Sequence, residues 1–218
     1  MSMFSKLLIT TVLLAQPTFV SAADELLNGG DVIECPGYEV PSYHSLDLYE
    51  GEEVYGLKRT DFNSFTDYKA IVIQVLKRME KVDPVRAKNY RLVLNNFEKE
   101  SKIVVGEFGN VRDEGFLAIP EGCSLKQAAV QFRTHTPEGI KYVFNLGLWN
   151  KMSAPTKAAL VLHELIYREA LGSQNIKTST RVRYFNAFLH SSKMDNIDYI
   201  TYAQSAGFLD FKIESPKN

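Results

Sequence analysis

The chain has 218 residues, with 25 basic and 26 acidic groups and two cysteines. So even a balance excludes the basic surface that nucleic-acid or polybasic membrane binding requires. The length suits one domain with a full core and leaves little room for a second.

The N-terminus reads as an export signal. Lys6 is the only charge before an apolar run from Leu7 to Ala15, and small residues Ser21, Ala22 and Ala23 follow. Charged, apolar and small segments in that order make a secretory signal peptide, and the run is too short to span a bilayer. Cleavage after Ala22 is expected, leaving residues 23–218 as a single globular domain that is periplasmic or secreted. No later segment is apolar enough for a transmembrane span, and an envelope or peptide partner fits such a location.

From 24 to 60 the pattern is irregular. Asp31 to Cys35 predicts a short strand, and Pro36-Gly37 turns the chain. Tyr38, Tyr43, Tyr49 and Tyr55 follow no regular spacing and read as covers for a core edge. Ile71, Val72, Val75, Leu76 and Met79 then recur at helical spacing. Asp83-Pro84 restarts the chain as an N-cap and first-turn proline, ahead of a second stripe of Tyr90, Val93, Leu94 and Phe97.

Beyond Ile103 the period shortens. Runs at 103–108, 116–119, 128–133 and 140–149 predict an antiparallel meander of about four strands. A helix centred on His163 follows, then a polar loop from Ser173 to Thr180. Further helices are expected near 181–190 and 197–206. The order is a helix pair, a small sheet, a buried helix and closing helices, which is an α+β fold. Cys35 and Cys123 are the two thiols of an exported chain and are expected to pair. His44 and His135 lie in turn-like segments, and Asp198 reads as a helix cap.

The stretch from Ala158 to Gly172 carries the chemistry. Leu160, Val161, Leu162, Leu165, Ile166, Ala170 and Leu171 cover nearly the whole circumference, so the helix belongs inside the domain. Within it sit His163 and Glu164, which burial makes costly unless they are paired, hydrogen-bonded or metal-bound. A His-Glu step alone says little, because four histidines and sixteen glutamates produce one by chance roughly 0.3 times in such a chain.

In that setting His163-Glu164 after the Tyr142–Trp149 run resembles the strand and His-Glu-x-x-His helix of the zincin metallopeptidases. The resemblance implies His163 as a zinc ligand and Glu164 as general base, with zinc as cofactor and peptides as substrate. Tyr167 stands where the second histidine ligand belongs, and a third ligand would come from His190, Asp195 or Asp198. The other reading is a structural polar cluster of His163, Glu164, Tyr167, Arg168, Glu169 and Arg181, with a Glu164–Arg168 pair four residues apart. In that reading Arg181 or Arg183 reaches Glu164 or Glu169.

A wider resemblance rests on Gly30-Asp31-Val32-Ile33-Glu34-Cys35, Leu46-Asp47-Leu48-Tyr49-Glu50 and the Leu162–Arg168 segment. These look like small exported proteins of predatory Gram-negative bacteria, which implies export and names no activity. The expected function is therefore a non-catalytic exported binding or envelope-associated module with a zincin-like core and no cofactor. A zinc-dependent peptide hydrolase is the alternative.

Overall fold

The computed structural model describes residues 25–37, 42–108, 117–133, 139, 141–173, 179–209 and 211. The expected signal segment, Tyr38 and His135 lie outside them. In chain order the elements are strands β1 (Glu25–Leu27), β2 (Asp31–Cys35) and β3 (Ser42–Ser45), then helices α1 (Leu46–Glu53), α2 (Tyr68–Glu80) and α3 (Pro84–Phe97). Strands β4 (Ser101–Val104), β5 (Ser124–Gln127), β6 (Ala129–Arg133) and β7 (Tyr142–Asn145) follow. Helices α4 (Leu146–Lys151), α5 (Ala154–Ser173) and α6 (Thr180–His190), a 3-10 turn (Ser192–Asn196) and α7 (Tyr199–Gly207) complete the α+β fold.

The periodic segments fold as their spacing dictates. Ile71, Val72, Val75, Leu76 and Met79 of α2 are fully buried, and α2 packs on α5. Burying each such side chain stabilises the fold by roughly 1.5–3 kcal/mol. Asp83 caps α3 by accepting from the Arg86 amide, with Pro84 in the first turn. Asp198 likewise caps α7.

The strands make two small sheets, in the orders β1-β6-β7-β4 and β3-β2-β5. One register runs through the ribbon that joins them: Leu27 faces Gln131, Asp31 faces Gln127 and Glu34 faces Ser124. The ribbon bends at Gly29-Gly30, where the Gly30 carbonyl accepts from the amides of both Ala128 and Ala129. A side chain at Gly29 would place its Cβ 2.4 Å from the Ala129 carbonyl oxygen. Only glycine lets the strands approach so closely.

Cys35 and Cys123 form a disulfide at the next position of the β2–β5 register. Both termini of the 88-residue loop are therefore brought together by strand pairing as well as by the bond.

Three expectations are corrected. β4 pairs with β7 in parallel, not as part of a meander; residues 117–119 of the expected second run form no strand, and β5, which no expected run covered, belongs to the other sheet. The run from 140 to 149 is not one strand. It stops at Asn145, whose Oδ1 accepts from the Leu148 amide and starts α4, while its Nδ2 donates to the Gly106 carbonyl. The third correction concerns the irregular region, which contains a helix, α1, capped by Ser45.

α5 is the centre of the molecule. It packs against α1, α2, α3, α6 and β3, and Leu160, Val161, Leu162, Leu165 and Ile166 are buried. Among the described residues no helix is long and apolar enough to cross a membrane.

Candidate functional site

Because α5 is enclosed, successive residues address different layers, each turned about 100° from the last. His163 points toward α1 and α6. Its Nδ1 lies 2.8 Å from Asp47 Oδ2, with side-chain exposures of 1% and 3%. Asn186 of α6 donates through Nδ2 to the same Asp47 oxygen at 2.6 Å and to the Ala159 carbonyl at 2.8 Å. One step on, the Asn186 carbonyl accepts from His190 Nδ1 at 3.0 Å. The network therefore joins α1, α5 and α6 through side chains that no solvent reaches.

Glu164 points the other way, toward the bend of the ribbon. Its Oε1 accepts from the Gly30 amide at 2.6 Å, and its backbone carbonyl accepts from Gln131 Nε2 at 2.6 Å. A Cβ at Gly30 would lie 2.2 Å from Leu160 Cδ1 and 3.3 Å from that carboxylate oxygen.

Burial opposes every charge here, and the partners decide which survive. Burial acts against the His163 cation, but the Asp47 carboxylate outweighs it and pushes the imidazole up to about 9. Burial also works against the Asp47 anion, and His163 with Asn186 holds that carboxyl below its usual range. The pair is thus ionic at neutral pH. Glu164 is raised by burial despite His163 and the Gly30 amide. His190 is pushed down to about 4, mainly by burial, with the Arg78 charge adding to it.

These directions predict opposed pH slopes of stability. His163 has a folded value above its unfolded one of about 6.5. Its contribution is complete below pH 6.5 and is lost as pH rises through about 9, by roughly 3 kcal/mol. The lowered value of His190 acts in the reverse sense: its contribution is complete above pH 6.5 and fades as pH falls toward 4. Urea unfolding across pH 5–10 should therefore show an alkaline decline that His163→Gln flattens. A wild-type profile level from pH 6.5 to 9 would rule out a protonated His163.

His163 Nε2, Glu164 Oε2, Asn186 Oδ1 and His190 Nε2 are buried without a hydrogen-bond partner. A histidine whose Nδ1 is held by a carboxylate while Nε2 stays open has the orientation of a metal ligand. The remaining donors do not fit. Among the described residues no group of three His, Cys, Asp or Glu side chains gathers as a metal-holding set. At neutral pH Nε2 of His163 also carries a proton that a metal would have to displace. Clefts of about 540, 220 and 630 Å³ open on the surface, and none is lined by His163, Glu164 or His190.

The six-residue cluster expected around the His-Glu step is divided. Tyr167 is buried with its ring centroid 6.0 Å from that of His163. Arg168 does not pair with Glu164; it donates to Glu100 at 2.7 Å and to Tyr142 Oη at 3.2 Å. Glu169 meets Arg86 of α3, whose guanidinium also pairs with Asp83 and donates to Tyr202 Oη. Arg181 is exposed at the start of α6. Arg183 reaches neither Glu164 nor Glu169, but pairs with buried Glu50 of α1 at 2.7 Å. The cause is geometric: a helix buried on most sides spreads its polar residues among several neighbours.

Of the other proposed donors, Asp195 pairs with Arg78 and Asp198 caps α7. His44 is exposed but lies in β3, not in a turn.

Asp47, Asn186 and Gln131 are the residues that sequence reasoning passed over. For Asp47 a signal existed, since Ser45 precedes it as a helix cap and Leu46 and Leu48 flank it. Asn186 and Gln131 carry no local mark of their role. No protein-family model matches the chain, and no match is found among curated proteins or solved structures.

Proposed function

We propose that the protein is an exported, non-catalytic binding or envelope-associated module in which the His-Glu helix organises the core. The observation that carries this reading is the sealed Asp47–His163 pair, 3% and 1% exposed, beside a Glu164 that is 0% exposed. A general base has to reach substrate and water within hydrogen-bond distance. Glu164 is instead bonded to the Gly30 amide. The disulfide supports an oxidising location.

The zinc-peptidase reading retains one favourable observation, the open Nε2 of His163. Metal analysis of protein purified without tags or chelators separates the two. Zinc well below one per chain is expected, in the wild type and in His163→Ala alike. Peptide hydrolysis by the wild type should already stand at the level of buffer, with Glu164→Gln no lower. One zinc per chain, lost on replacing His163, would make the protein a metal-dependent hydrolase.

A further inference from the structure

Where β7 leaves its sheet, a slot opens between β5 and the chain beyond β4. In the sheet, Ala129 of β6 faces Phe144 of β7, and Val104 of β4 faces Asn145. If β7 ran on in that register, residues 146–149 would lie along the outer edge of β5. The continuation of β4, residues 105–108, would flank them on the far side. The chain does not run on, because Asn145 caps α4 and turns it away. Its Nδ2 nevertheless holds the Gly106 carbonyl at 2.6 Å, keeping the far wall in place.

A cleft of about 540 Å³ occupies the vacated position. Leu125 and Lys126 of β5 form one wall, Val105 and Phe108 the other, and Leu148 and Lys151 of α4 the floor. Among the described residues no strand pairs with the outer edge of β5. That edge belongs to a different strand from β7, and the cleft is not lined by the His-Glu pair.

The charges give the slot a preference. Glu34 is engaged by Tyr43 Oη at 2.6 Å and by Lys126 at 3.3 Å. Lys151 is exposed, and its Nζ rests 3.3 Å from Tyr43 Oη and 5.5 Å from the centroid of that ring. Among the described residues no carboxylate lies within 4 Å of it, while at longer range its charge acts on Glu34, to which Tyr43 Oη donates. Glu107 lies across the cleft, exposed as Lys151 is, so solvent screens both charges alike. The lining carries two carboxylates and two ammonium groups, with Lys151 the charge on the α4 side, and Leu125, Leu148 and Val105 flank it with apolar surface.

We propose that this slot binds an extended peptide of a partner protein, added as a strand beside β5 with an acidic side chain over Lys151. Main-chain hydrogen bonds would supply affinity, and the floor would select alternate side chains. The inference rests on the binding-module reading and names its partner class.

The probe is a fluorescein-labelled six-residue peptide alternating valine and threonine, with one central glutamate, titrated against the whole protein. Saturable binding below about 1 mM is expected. Lys151→Glu should weaken it about tenfold, and a lysine in place of the probe's glutamate should restore binding to that variant. Methylating alternate probe amides should abolish binding, because it removes the donors of a strand ladder. No saturable binding, or binding indifferent to both Lys151→Glu and amide methylation, would overturn the slot. Mass spectrometry of the recovered probe keeps the two readings apart. A bound and cleaved peptide would overturn the non-catalytic reading while sparing the slot, and an intact, unbound peptide would overturn the slot alone.

Discussion

Asp47→Ala is expected to lower unfolding stability by about 3–5 kcal/mol, the usual cost of leaving one member of a buried ion pair without its partner. The substitution removes the carboxylate that keeps the buried His163 protonated, leaving Nδ1 without its partner, and Asn186 loses the carboxylate oxygen that its amide contacts at 2.6 Å. Urea unfolding of Asp47→Ala, His163→Ala and the double variant tests the pairing. The double variant should lose less than the sum of the two single losses, because each single change already removes the shared interaction. Additive losses would mean that the pair contributes nothing as a pair. A second signature should accompany the loss: the alkaline decline in stability should shrink in Asp47→Ala, since His163 owes its raised value mainly to that carboxylate.

Removing the disulfide should have a comparable effect. It closes an 88-residue loop, for which the chain-entropy model assigns about 4.5 kcal/mol. The Cys35→Ser, Cys123→Ser double variant should therefore unfold at markedly lower urea than the oxidised protein, and reducing agent should have no further effect on it. The β2–β5 register survives without the bond, because Glu34 still faces Ser124. Circular dichroism at low temperature should consequently remain native. Equal midpoints with and without the bond would show that strand pairing alone restrains the loop in the unfolded ensemble.

Several elements were legible from local pattern. The stripes of α2 and α3 recur at the helical period because their burial is one-sided and set by immediate neighbours in sequence. Asp83-Pro84 marks a helix start through backbone chemistry that involves only the next three residues. The all-round apolar character of α5 placed it in the interior, where Leu160 to Ile166 are found.

Other elements were not legible, for physical reasons. α1 is short and amphipathic by virtue of buried acids, so Asp47 and Glu50 made an inward face look like a solvent-exposed one. Asn145 reads as one residue in an apolar run, yet its side chain both ends β7 and holds the chain beyond β4. A run of strands at similar spacing does not distinguish parallel from antiparallel pairing, so the β4–β7 pair had no local signature. The Glu164–Arg168 pair was a sound expectation for an exposed helix. It failed because the nearest carboxylate to Arg168 is Glu100, brought close by the sheet.

The His163-Glu164 step divides the two sources of information. Sequence alone determined that both residues are buried, because the surrounding side chains leave no polar face on the helix. It also determined that something must satisfy them. Tertiary structure alone decided what does so. Asp47 is 116 positions away and Gly30 is 134, and separations of that size are set by how whole elements pack. The need for a partner is local, a matter of desolvation, whereas the identity of the partner belongs to the fold.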